Sequence, residues 1–325
     1  MRAAPSACRN ARLAAGVFVL SLWLSGCATL LPQTAELRQG RPAGLPERVE
    51  LTDVPFFPQS DYQCGPAALA TTLAHFKARV TSEELVDQVY LPARRGSLQV
   101  EMLAAARRHG MVSFQLAPRF EDVLREIAAG TPVIVLQNYG VWPFSMWHYA
   151  VAVGYDYPNG EMILRSGVKQ RLTMPFGVFE YLWKDGDYWA MVTVPPERIA
   201  ATASESGFLA AVIAMDRAGN ARAARTAYQT FLGRWPDDLG AMIGLANGHH
   251  ALGELREAEA VLRRAADRHA DSAVVLNNLA QTLSDQGRNA EALPLAERAV
   301  SLGGPFAEAA RETRDTILVR MRARQ

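Results

Sequence analysis

Apolar residues recur at three- and four-residue spacings through 66–78. There Ala67, Leu69, Ala70, Leu73, Ala74 and Phe76 make one broad face and predict a helix. The same period marks "TSEELVDQVY" (81–90), opened by Thr81 or Ser82 as a cap with acids in its first turn. It marks "SLQVEMLAAARRHG" (97–110), closed by Gly110, and "FEDVLREIAAG" (120–130), closed by Gly130. The pattern then shortens. "PVIVLQ" (132–137) is a continuous apolar run of strand length, and "HYAVAVGYD" (148–156), "EMILRS" (161–166) and "DYWAMVTV" (187–194) follow it. "YPNG" between the second and third of these predicts a hairpin. Helices first and an antiparallel sheet second make an α+β domain over 49–194, led in by short extended pieces at 49–51 and 54–56.

Residues 195–204 read as a linker, and beyond them every pattern is helical and repeats. Gly219, Gly253 and Gly287 stand 34 residues apart. Five residues after each comes Ala224, Ala258 or Ala292, and twelve after comes Phe231, Ala265 or Ala299. Leu245 and Leu279 precede the last two glycines by eight, and Pro236 follows Gly219 by seventeen. A glycine that turns one helix back on the next, with alanines that let the pair approach, resembles the tetratricopeptide repeat. The units are 205–238, 239–272 and 273–306, with a capping helix in the rest of 205–325. The large aromatic of the repeat pattern is Phe208, Met242 and Leu276 in turn, so the peptide-binding groove of such repeats does not follow from their presence.

Composition is that of a globular chain of two domains: 325 residues, 49% hydrophobic and 21% charged. A net charge of +1 with no basic stripe excludes nucleic acid as the expected partner. The N-terminus changes the picture more. "MRAAPSACRNAR" is basic without acids, and "LAAGVFVLSLWL" is an apolar run too short to span a bilayer comfortably. "LSGC" then resembles the lipobox of bacterial lipoproteins, which implies cleavage of 1–26 and lipidation of Cys27. The alternative is an ordinary signal peptide or anchor helix. Loss of Arg2, Arg9 and Arg12 would take the charge from +1 to −2. Ala28 after Cys27 implies, by analogy with lipoprotein sorting, the periplasmic face of the outer membrane. The Pro/Gly-dotted stretch 27–48 reads as a tether.

Of three cysteines, Cys8 leaves with the signal and Cys27 is acylated, so Cys64 is the one thiol of the mature chain. An unpaired thiol in an oxidising compartment is a candidate reactive group, with a buried structural cysteine as the alternative. Pro66 suits the first turn of a helix, which puts Cys64 at the N-terminus, where free N–H groups and the helix dipole favour a thiolate. Gln59, five residues upstream, can offer its amide to a developing oxyanion. Among the histidines, His75 is ~16 Å along the helix from Cys64 at 1.5 Å per residue. His109 sits at a helix stop, and His249, His250 and His269 lie in the repeats. His148 opens a core strand after the loop "NYGVWPFSMW".

"PQSDYQCGPAAL" with "WHYAVAVGYD" resembles the cysteine peptidases related to bacteriocin leader-processing endopeptidases, a papain-like family, over about residues 50–194. The resemblance implies a papain-like α+β fold, Cys64 as nucleophile, His148 as general base and Gln59 as oxyanion donor. It also implies an Asp or Asn in the strand after the histidine, and this chain departs from that. Asp156 lies ~26 Å along the histidine's own strand at ~3.3 Å per residue. The hairpin returns "RSGVK" (165–169) opposite His148, which leaves Ser166 or a backbone carbonyl to hold the ring.

Trp142, Phe144 and Trp147 either line a substrate cleft or cap the core. No metal-ligand spacing and no nucleotide-binding motif is present, so no cofactor is expected. Three readings stand: a periplasmic thiol peptidase whose repeats engage a protein, a decayed peptidase fold used as a binding scaffold, and a thiol acyl or amide transferase. The expected partners are a peptide or protein substrate, a protein on the repeats, and the membrane through the lipid.

Overall fold

The computed structural model describes residues 31–58, 63–141 and 143–323. Cys27, Gln59 and Trp142 therefore lie outside the described residues, as does the signal segment. The chain divides into two compact units. The first runs to His75 and takes in Arg79–Ser97 and Gln115–Val192; the second takes in Phe76–Ala78, Leu98–Phe114 and everything from Thr193.

The first unit begins with a difference from the sequence reading. Within the stretch read as a tether, Pro32–Gln39 is a helix, α1. Pro32 stands in the first turn, where its missing N–H costs nothing. The N–H groups of Gln33 and Thr34 donate to the two carboxylate oxygens of buried Glu180, at 3.0 and 2.6 Å. Leu37 is buried. A helix this short is marginal alone, and docking supplies what its sequence does not.

Strand β1 is Arg48–Glu50. Helix α2, Cys64–His75, is buried all round from Gly65 to Leu73, as expected of a helix made of Gly, Ala, Thr and Leu inside a core. Helix α3, Ser82–Val89, is opened by a capping box in which Thr81 and Glu84 satisfy each other's backbone N–H groups. Short strands β2 (Tyr90–Leu91) and β3 (Gly96–Ser97) pair with each other. Helix α4 (Gln99–Arg108) belongs to the second unit, as does strand β4 (Val112–Gln115) up to Phe114. The 49–194 span expected to form one domain thus lends a helix to the other unit.

The rest of the first unit is α5 (Phe120–Ala128), β5 (Val133–Asn138), β6 (Trp147–Asp156), β7 (Glu161–Ser166), β8 (Lys169–Pro175), α6 (Phe176–Lys184) and, up to Val192, β9 (Ala190–Val194). Within this unit the sheet runs β9-β5-β6-β7-β8, antiparallel throughout, and β1 pairs with the far end of β6. Two registers matter below. Gln137 of β5 lies opposite His148 of β6, and β7 returns along β6 with Arg165 opposite Val151. Helix α2 packs against β6, which brings its N-terminus to the histidine strand.

The second unit contains three helix pairs: α7 (Glu205–Arg217) with α8 (Ala221–Arg234), α9 (Leu239–Ala251) with α10 (Leu255–Arg268), and α11 (Ala273–Asp285) with α12 (Asn289–Leu302). Helix α13 (Ala307–Arg322) follows. Gly219, Gly253 and Gly287 turn each pair with φ of +89°, +76° and +82°, a conformation that only glycine adopts cheaply. The 34-residue positions are core: Phe208, Met242, Leu276, Ala224, Ala258 and Ala292 are all buried. Phe114 packs edge-on to Phe208 at 6.3 Å, and Gly110, at φ +77°, passes so close to Asn220 that a Cβ would crowd its amide at 3.1 Å.

Candidate active site

Cys64 is the first residue of α2. The Gln63 carbonyl accepts the first intrahelical bond, from the Ala67 N–H at 3.2 Å, so the thiol stands in the first turn. It carries no disulfide and is partly exposed. Burial pushes the thiol above its ordinary value, while backbone hydrogen bonds from Tyr149, Gly65 and Cys64 itself favour the thiolate and offset part of that push. Desolvation thus works against the thiolate expected from the helix N-terminus, and the N–H groups work for it. The Tyr149 contact has a second meaning, because it seats the sulfur against the residue next to His148.

His148, second residue of β6, is half-buried, and burial lowers its value too. Both directions favour the neutral forms. The imidazole Nε2 lies 2.9 Å from Oγ of Ser166, the last residue of β7. Ser166 therefore holds the ring from the returning strand. Asp156 does not: it sits at the opposite end of β6, where Arg48 and Asn159 hydrogen-bond it at 2.8 and 3.0 Å. Among the described residues no carboxylate hydrogen-bonds His148.

Two side chains that sequence reasoning missed complete the surroundings. The Tyr139 ring meets the imidazole edge-on at 5.5 Å, and its hydroxyl donates to Oε1 of buried Gln137 at 3.2 Å. The one sequence signal was the polar pair Gln137-Asn138 closing an otherwise apolar strand. Asn138 has a different task. Its Oδ1 accepts the N–H groups of Gly140 and Met146 at 3.0 and 2.8 Å, and its amide donates to Asp185 at 3.2 Å. This pins the loop before His148. Gly140 is obligatory there, since a Cβ would lie 2.0 Å from the Phe144 carbonyl oxygen. Phe144 and Trp147 are exposed, so they cap no core and are free to meet a substrate.

His75 lies at the far end of α2, where it contacts the Gly130 carbonyl at 3.2 Å. His109 caps α4. His249 and His250 pair with Glu254 and Asp285 in the second unit.

A family model described as the Peptidase_C39 like family matches residues 51–185. Two tetratricopeptide-repeat models match residues 217–282 and 272–303. Among solved structures, the chain is similar to a protein described as a C39-like peptidase from Bacillus anthracis, at 18% identity over 48% of this chain and 100% of that one, with a TM-score of 0.40. It is also similar to a double glycine motif protease from an AMS/PCAT transporter, solved in complex with the leader peptide, at 21% identity over 43% of this chain and 90% of that one, with a TM-score of 0.33. A search of curated proteins returns no match.

Proposed function

We propose that this chain, a C39-like peptidase domain followed by tetratricopeptide repeats, is a cysteine peptidase held by a lipid on Cys27 at the periplasmic face of the outer membrane. The observation that carries the reading is the meeting of Cys64 with the His148 strand: the sulfur hydrogen-bonds the Tyr149 backbone, and the neighbouring imidazole is held by Ser166 through Nε2. With Nε2 engaged, Nδ1 is the nitrogen left to serve the thiol.

The chemistry follows from neutral partners. As the sulfur attacks the scissile carbonyl, Nδ1 takes the thiol proton, and the S–C bond forms while the carbonyl pair moves to oxygen. Gln59 is the proposed donor to that oxyanion, on its spacing from Cys64 in the sequence. Collapse breaks the C–N bond, the imidazolium proton goes to the leaving amine, and a thioester remains. Water then gives a proton to His148 and attacks the thioester, which releases acid and thiol. The repeats engage a protein, either the substrate or a partner that delivers it, and the lipid confines the reaction to a membrane surface.

A cysteine-directed activity probe tests this. The wild-type chain should be labelled at Cys64, Cys64→Ala should not be labelled, and both Cys64→Ala and His148→Ala should abolish peptide cleavage. The double variant should be no worse than either single one, because the two groups act as a unit. Gln59→Ala should slow cleavage by ~10²–10³-fold. A chain that binds peptides through the repeats but cleaves none would favour the scaffold reading, which draws on the absence, among the described residues, of a carboxylate hydrogen-bonded to His148. Cys27→Ala should leave the membrane fraction; unchanged fractionation would remove the anchor.

A further inference from the structure

Among the surfaces that the proposed chemistry does not use, one lies where the chain enters the fold. Helix α6 buries Phe176, Phe179, Glu180 and Trp183, an i, i+3, i+4, i+7 stripe that faces the core. On a solvated helix the opposite side is polar. Here it carries Val178 and Tyr181, 47% and 53% exposed, and then Lys184, whose ammonium lies 4.7 Å from the centre of the Tyr181 ring. Glu180 is turned inward onto the N–H groups of Gln33 and Thr34, and the Asp185 carboxylate accepts from the Asn138 amide. The exposed side thus runs from an aliphatic group to a ring with a hydroxyl to a cation. That order suits the boundary between acyl chains and anionic headgroups.

Chain geometry says what can reach this side. Leu31 rests on it: a Cβ added at Gly177, one helical turn before Tyr181, would touch the Leu31 side chain at 3.4 Å. In the sequence only residues 28–30 separate Leu31 from Cys27. Four Cα steps, fully extended, span at most ~14 Å. A lipid on Cys27 therefore holds α6 close to the bilayer, and the stretch read as a tether gives it no slack beyond those few residues. Two side chains are too small a patch to keep a free protein on a membrane. A tether this short makes the contact intramolecular, at an effective concentration on the order of millimolar.

We infer that the Val178, Tyr181 and Lys184 side of α6 is the face on which the peptidase-like domain rests on the membrane, with the Tyr181 ring at headgroup level. The inference builds on the anchor proposed above and adds an orientation to it. From Gly177 to Asp185 the helix advances ~12 Å at 1.5 Å per residue. Asp185 then holds Asn138, which pins the loop before His148. The docked face and the candidate active site thus share one strut.

Hydroxyl-radical footprinting read by mass spectrometry tests the face. The full chain is purified from bacteria with its anchor and reconstituted in vesicles of saturated phosphatidylethanolamine and phosphatidylglycerol. The reference is a chain that starts at Ala28, without Cys27 or the apolar run, mixed with the same vesicles. Oxidation of Val178 and Tyr181 should fall about five-fold in the anchored chain, as expected for side chains moved from water to the headgroup region. Val141, Phe144 and Val168, the other exposed apolar side chains compared in this unit, should lose less. An equal or larger loss at those three would put another face on the bilayer and overturn the inference. So would protection that appears only at high chain density, which would mean a second copy of the chain covers the patch. The mass of the N-terminal peptide separates the two ideas. A lipid on Cys27 with unchanged oxidation of Val178 and Tyr181 would overturn the face and leave the anchor standing. Protection without a lipid would remove lipidation and leave the face standing, since the apolar run ends at Leu24, also near Leu31. A chain that does not associate with membranes at all would overturn both.

Discussion

At Cys64 burial and backbone hydrogen bonds pull against each other, and at His148 burial acts alone. The thiol lies above its ordinary value and the imidazole below the ordinary 6.5, both because of desolvation. Alkylation of Cys64 by iodoacetamide should therefore keep rising through the alkaline range, past the ordinary thiol value. A plateau already reached at pH 6 would restore a preformed thiolate. The imidazole has a consequence for stability as well. Its folded value is depressed, so the unfolded chain takes the proton first. The contribution of neutral His148 is complete above about 6.5 and is lost as pH falls through the folded value. His148→Gln should flatten that acid limb in urea unfolding followed from pH 7 to pH 5. Asp156→Asn should leave cleavage near wild type, because its partners are Arg48 and Asn159 at the other end of the strand. Ser166→Ala should cost ten-fold or more, a scale typical of one lost net hydrogen bond.

Among the elements, α1 shows how much a short segment owes to one side chain. Glu180→Ala would strip the acceptor from the N–H groups of Gln33 and Thr34, the second of them in a buried residue. The expected loss is about 2–3 kcal/mol, with protease cleavage appearing first within 32–39. Unchanged unfolding would mean that the docked helix adds nothing. Such docking is invisible in "PQTAELRQ", which opens on Pro32 and runs into Gly40, Pro42, Gly44 and Pro46, and so reads as flexible chain. Strand β8 escaped for a related reason. Only Met174 is buried along β8, so the strand has no alternation to read. By contrast, Val133–Asn138 and Trp147–Asp156 announce themselves by unbroken apolar runs, and Ser166 follows from counting back through a hairpin. The contact of Tyr139 with Gln137 was out of reach. A hydrogen bond's direction depends on which atoms meet across strands, and no spacing in one strand encodes it.

For the whole chain, the repeat period marks the helix pairs to within a residue or two, because Gly219, Gly253 and Gly287 recur where only a positive φ closes the turn. It does not mark where that unit ends. Phe208 of the first pair packs against Phe114, which the chain supplies from a much earlier stretch. A fragment of residues 205–325 should therefore fold through its second and third pairs but fray in its first. Hydrogen exchange should show α7 and α8 unprotected in the fragment and protected in the full chain. Equal protection in both would make 205 a true boundary.

The shared helix also constrains how the molecule can be made. A ribosome releases α4 and β4 long before α7 exists, so Phe114 must wait without its partner while the rest of the first unit is completed up to Val192. Synthesis order and assembly order thus differ. A chain stalled or truncated near residue 200 would display the uncovered face of α4, a natural mark for a holding chaperone or a quality-control protease. For the same reason the repeats cannot be traded between proteins as a detachable cassette at the 195–204 linker. Their first pair is finished by residues encoded inside the peptidase-like domain.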